Sequence, residues 1–464
     1  MLQIHYIRVS FIRPVLLFAM GLALVALLAC STEGNEPDNG SSSSVGDNPS
    51  VSSSSGGGNS NGGGSSSSGG NSNPTNSSSS ENNSGPSSGS GPGGINVENA
   101  IKIEFKNGSA PEIENGFSEV EITKNGENIV VRIPDGTETE YNFVLSGTAR
   151  NGSLKFYGDV RKGLYLNGVN ITNSTGPAIN IQKSKRVIVN LVTGTQNFLT
   201  DGPNYNTPDG EQAKGTFFSE GKLEFDGGSG SLEVKGKFNH AIVADNDFEV
   251  KSGTIIVKEA INDGIHANDT IKVKGGNLNI TSTGDAIQSE REKVIITGGE
   301  IVAQTSGAKS HGIASEGKTS IDGATVKITV SGNGSKGIRS RGLVEFKGGK
   351  TTIEAKGTKH TDPADPEDES NAAGIKLAGN LYIDNGELTI KTTGTGAKGI
   401  NTDGNATISN GKIAIDADDD GIKVHGKLEI KGGTGSIKSK KKKAIDAKEW
   451  DGNKGSITTQ DGVS

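Results

Sequence analysis

The 464 residues hold one cysteine, one tryptophan, two methionines and six histidines, and aromatic residues make up only 4%. A single Cys excludes a disulfide framework and a Cys-rich zinc centre. Hydrophobic residues reach only 31%, while Gly contributes 70 positions. That balance excludes a large helical bundle, because Gly is costly inside helices. Only one long uncharged apolar run exists, which excludes a multipass membrane protein. The net charge of −7 is small for this length and leaves no basic footprint for nucleic acid. Neither a nucleophile elbow, nor a phosphate-cradling Gly loop ahead of a helix, nor a His-rich zinc helix is found.

What is present begins with an address. Arg8 and Arg13 precede an uncharged apolar stretch at residues 15–28, too short for a confident span of about 20 residues. It ends in Leu27, Leu28, Ala29 and Cys30, which resembles a bacterial lipobox in which the Cys becomes the lipidated first residue. Residues 1–30 therefore read as a lipoprotein signal peptide. Ser31 stands where inner-membrane lipoproteins carry Asp, so a lipid anchor in the outer membrane at the cell surface is expected. Residues 31–94 are almost all Ser, Gly, Asn and Pro. They cannot bury enough apolar area to offset chain entropy and read as a flexible tether.

Internal repetition organises the rest. A short phrase centred on Ile recurs at Ile242, Ile265, Ile287, Ile313, Ile338, Ile375, Ile400, Ile422 and Ile445, in steps of 23, 22, 26, 25, 37, 25, 22 and 23. The long step contains a Pro- and acid-rich insertion at residues 359–371. Each unit has one grammar: a small residue before the Ile, a turn, an alternating strand, a Gly-Gly corner and a second alternating strand. The second unit shows it in Gly264-Ile265, Asn268-Asp269, Ile271 and Val273, Gly275-Gly276, and Leu278 and Ile280. Period-two alternation broken by Gly corners indicates short, half-buried strands. Three such strands in about 22–25 residues predict an all-β, right-handed parallel β-helix whose coils stack at roughly 4.8 Å. A β-propeller blade, at about 40–45 residues, is too long for this unit. Residues 95–176 read as an N-terminal β cap with the first coils, and 177–464 as the helix proper. The loop at 201–215 is expected to project.

Stacking turns equivalent positions into columns. Two residues before each Ile stand His240, Asp263, Asp285, His311, Lys336, Ala373, Lys398, Asp420 and Lys443. Three residues after it stand Asp245, Asn268, Glu290, Glu316, Arg341, Ala378, Asp403, His425 and Lys448. Asp263 and Asp285 would lie one coil apart, where like charges repel. A hard divalent cation removes that repulsion, so calcium is expected, with Asp245, Asn262, Asp263, Asn268 and Asp285 as candidate ligands. The same residues also suit Asx turns at corners. Lys336, Arg339, Lys376, Lys398 and Lys423 would make a cationic stripe for an anionic polymer, or a solvated face of Asp/Lys pairs. His240, His266 and His311 fill slots that other residues also fill, so a structural or surface role is expected for them.

The phrase Leu145-Ser146-Gly147-Thr148, the run at residues 164–179, and the phrases Asp263-Gly264-Ile265-His266-Ala267 and Asp285-Ala286-Ile287-Gln288-Ser289 resemble a family of secreted carbohydrate-binding β-helix domains similar in fold to calcium-dependent pectate lyases. The resemblance covers roughly residues 95–464. It implies binding of plant cell-wall polysaccharide, cellulose or polygalacturonate, with bound calcium and without established catalysis. The family's Asp-Gly-Ile phrase falls on Asp263, Asp285 and Asp420. Flat neutral glucans ask for exposed aromatic platforms, which are scarce here, so an acidic polymer such as pectin is favoured. No catalytic residue is assigned. A calcium-dependent polysaccharide lyase and an adhesive spacer are the alternatives, and a monomer that binds no nucleic acid is expected.

Overall fold

A computed structural model describes residues 97–463. The expected signal peptide with Cys30 and the expected tether lie outside the described residues. Within them, the chain is an all-β parallel solenoid of about 13 turns. Every turn contributes a strand to each of three parallel ladders, and the ladders enclose one continuous apolar column.

The first ladder carries the Ile phrase. Its register joins Ile242, Ile265, Ile287, Ile313, Ile338, Ile375, Ile400, Ile422 and Ile445 in one row. All but the last are fully buried. The second ladder is built of three-residue strands such as Ile271–Val273, Val294–Ile296 and Thr319–Ile321. The third is built of longer ones such as Asn277–Ser282, Glu300–Thr305 and Thr325–Val330. In Asn277–Ser282 exposed and buried residues alternate without fault, as a strand with one face in the core requires. The corner between second and third ladders needs a left-handed residue, and Gly276 and Gly299 supply it at φ of 79° and 86°.

Glycine has a second use that corner chemistry does not cover. The residue before each Ile points into the column, and a Cβ on Gly337 would lie 2.2 Å from Ile353 Cγ2 and 2.6 Å from the Gly374 carbonyl. The thin core is closed by backbone packed against side chain there.

Parallel pairing starts with Ala100–Lys106 on Tyr141–Ala149. The open edges of these first strands are covered by antiparallel partners: Glu112–Glu114 on Ala100–Lys106, and Glu121–Asn125 on Asn128–Arg132. An uncovered edge would template further pairing.

Two long connections lead from the third ladder into the first. Residues 359–371 form an antiparallel hairpin, His360–Thr361 against Glu369–Ser370. Asp362 and Asp365 turn its tip by accepting from the Ala364 and Glu367 amides. The 201–215 loop does not project freely. Glu211 pairs with Lys155 and Tyr157, and the Gln212 carbonyl accepts from Gln182 Nε2 at 2.6 Å, so the loop folds back over the outer face of the early first-ladder strands. Asp201 anchors its base through the Lys237 amide and the Tyr205 hydroxyl, both at 2.5 Å. Loop and hairpin thus overhang the same ladder, and between them lie the rungs of His240, Asp263 and Asp285.

Candidate functional site on the first ladder

Residues one after and two before each buried Ile face outward from the first ladder. Part of the first column is paired in register: His311, Lys336, Ala373 and Lys398 are partners on successive turns. What the side chains do along the columns differs from rung to rung.

The five oxygen-bearing candidates for calcium do not close into one cage. Lys214 Nζ donates to both carboxylate oxygens of Asp245 at 2.7 Å. Asn268 Nδ2 donates to the Asp245 carbonyl, and Asn262 Nδ2 to Asn239 Oδ1. Asp263 and Asp285 are brought together, but through backbone: the Asp285 amide donates to Asp263 Oδ1 at 2.9 Å. The other Asp263 oxygen sits between two imidazoles, 3.1 Å from His240 Nδ1 and 3.0 Å from His266 Nδ1. Calcium asks for six to eight oxygens, and nitrogen occupies the positions where those oxygens would be needed. No step is therefore derived through calcium.

Burial and environment set these carboxylates apart. Burial alone would raise Asp263, yet the hydrogen bonds from His240 and His266 hold it down to about 2. Burial, reinforced by the neighbouring Asp263 charge, pushes Asp285 up to about 8, so it is neutral at pH 7. His311 is held well below the ordinary imidazole value by burial and by Lys336 and Arg339. Its Nδ1 accepts the Lys336 amide at 3.1 Å, as a neutral ring can.

The five cationic candidates separate into three groups. Lys336, Lys376 and Lys398 line one cleft of about 200 Å³ with Asn401, and the hairpin walls it through Glu369 and Ser370. Arg339 stands apart, turned to Glu316 at 3.1 Å. Lys423 belongs to a separate C-terminal cleft with Asp420, Asp446 and Lys441 to Lys443, and pairs with Asp446 at 2.6 Å. In the central cleft Lys376 is paired with Asp403 at 2.5 Å, and Lys398 with Asp419 and Asp420 at 3.1 Å each. Lys336 has no carboxylate partner among the described residues. Its ammonium donates to the Gly334 carbonyl at 2.8 Å and to the Ser370 hydroxyl. Burial, with Arg339, Lys376 and Lys309 nearby, lowers it to about 8. Asn401, which also lines the cleft, keeps its Oδ1 buried without a hydrogen-bond partner among the described residues.

Two features escape sequence reasoning. The imidazole pair around Asp263 joins residues from different slots, two before one Ile and one after the next. The other is an apolar shelf beside it: Phe238 is 40% exposed, stacks on Tyr205 at 4.1 Å, and sits one turn from exposed Ile261. The shelf needs the folded-back loop to supply Tyr205, and a loop conformation is not periodic.

A parallel solenoid that keeps one ladder lined with clefts of polar side chains defines an extended-ligand scaffold. The family model described as carbohydrate-binding domain-containing protein matches residues 118–398, more than half of the chain, and the chain belongs to that family. A relative of the same description from Acetivibrio thermocellus is 32% identical over 114 residues, which are 23% of this chain and 39% of the relative. The chain thus spans well under two thirds of that relative. A solved structure, a polysaccharide lyase-like protein from C. thermocellum in a gadolinium derivative, is 28% identical with a TM-score of 0.47, covering 53% of this chain and 96% of the other.

Proposed function

We propose that the chain binds an acidic polysaccharide along the outer face of the first ladder, with a uronate carboxylate in the cleft of Lys336, Lys376 and Lys398. The observation that carries this is Lys336: a half-buried ammonium with no anionic partner, among further lysines, beside an unpartnered amide oxygen. A carboxylate supplies the missing charge. The Phe238 and Tyr205 shelf lies on the same face and offers an apolar surface for the C–H side of a sugar ring. Plant cell-wall pectin is the polymer class this charge pattern suits, and a lipid anchor at Cys30 with a long tether would hold the face clear of an outer membrane.

The test is retention of the full chain on polygalacturonate, on cellulose and on xylan, at low and high salt. Retention on polygalacturonate that falls as salt screens the lysines, with little on the neutral polymers, supports the reading. Equal retention on all three, or none, overturns it, and none would favour an adhesive spacer. One observation favours a second reading. An amine lowered to about 8 suits a general base. In a β-elimination Lys336 would take the proton α to the uronate carboxylate, and the electron pair would expel the glycosidic oxygen and leave an unsaturated sugar. Absorbance of that product on incubation with polygalacturonate decides between binding alone and cleavage.

A further inference from the structure

His240, Asp263 and His266 converge as no other group of His, Cys, Asp or Glu does among the described residues, with their ligand atoms all within 4.8 Å of one another. All three are buried, at 8%, 3% and 8% exposure. The stacking of turns produces the convergence. His240 opens the first-ladder strand of one turn, His266 lies on that of the next, and the tilted rings have centroids 4.5 Å apart. Asp263 Oδ2 lies between the two Nδ1 atoms at 3.1 and 3.0 Å.

We propose that these three side chains form a binding site for a borderline first-row divalent cation, with Zn²⁺ as the type case. Ligands about 2.0–2.1 Å from zinc in a tetrahedron stand about 3.3 Å from one another. The carboxylate stands 3.0 and 3.1 Å from the two imidazoles, close to that spacing, and all three ligand atoms lie within 4.8 Å of one another. Two imidazoles and one carboxylate are the donor types this ion class prefers, and they suit calcium poorly. His240 Nδ1 also carries conflicting demands. It lies 3.2 Å from the Asp263 amide, which donates to it, and 3.1 Å from the Asp263 carboxylate, which can only accept. A ligating His240 Nδ1 would exchange the Asp263 amide for the cation, since it has one in-plane lone pair.

The outer groups fit the same ion. Glu290 Oε2 lies 3.4 Å from His266 Nε2, placing a carboxylate on the far nitrogen of a ligating ring. The Asp285 amide fixes the other Asp263 oxygen. Three protein ligands leave a fourth position for water or a sugar oxygen. The site would clip two turns together where the face is open, and it stands independently of the lysine cleft.

The experiment uses the full chain made without a polyhistidine tag and stripped with chelator. Titration with Co²⁺ should give one equivalent of uptake with visible d–d bands, displaced by Zn²⁺ and unaffected by excess Ca²⁺. His266→Ala and His240→Ala should each weaken uptake more than tenfold, while His360→Ala, in the 359–371 hairpin, should leave it unchanged. Circular dichroism checks the fold of each variant, and His266→Gln replaces any alanine variant that unfolds. No stoichiometric uptake by the unaltered chain, displacement by Ca²⁺, or full uptake in the folded His240 and His266 variants overturns the proposal.

Discussion

Lys336 concentrates the account at the scale of one residue. Its ammonium is half-buried, faces other cations and is lowered to about 8. A base whose folded value lies below its unfolded value adds stability only when neutral: the contribution is present above the unfolded value and is lost as pH falls through about 8. Binding runs the other way, since the charge is present below about 8. Retention on polygalacturonate should therefore fall between pH 7 and 9 in the native chain. Lys336→Arg, which stays charged, should hold retention across that window, and Lys336→Ala should lower it at least tenfold at pH 7. A flat profile for the native chain contradicts this role. The residue was legible as cationic and column-forming. Its lack of an anionic partner was not, because whether a lysine meets an aspartate depends on neighbours such as Ser370 that arrive from a non-repeating hairpin.

Elements show what periodicity can and cannot specify. The Ile ladder was readable in full, since each Ile returns to one row as soon as the unit length is close to one turn. Ile313 is fully buried, so Ile313→Ala should cost about 2–5 kcal/mol in denaturant unfolding, by lost transfer energy and the cavity left behind. A cost near zero would mean that the row is not load-carrying core. The position before each Ile was read only as small, but Gly337→Ala should be destabilising by about 1–3 kcal/mol, because its methyl meets Ile353 and a carbonyl in a column that cannot widen. Asp245 was read as a metal ligand from its column. The partner that takes it, Lys214, comes from the 201–215 loop, where no repeat guides the eye. The 359–371 hairpin makes the complementary case. Removing it and closing the gap with glycine should leave thermal unfolding nearly unchanged, since its residues add nothing to the buried column, while retention on polygalacturonate drops. A large fall in melting temperature would instead make the hairpin a structural brace.

For the whole molecule, the solenoid converts a linear repeat into a face. Loop and hairpin divide that face into an open stretch and a walled cleft, and the same stacking that aligns the Ile residues sets imidazoles, carboxylates and lysines in file. The claim tested most directly is that the central cleft receives a uronate. A crystal structure of the chain soaked with an oligogalacturonate should show a carboxylate within hydrogen-bond reach of Lys336 Nζ. Oligosaccharide bound on the second or third ladder, with the lysine cleft filled by water alone, would contradict the account.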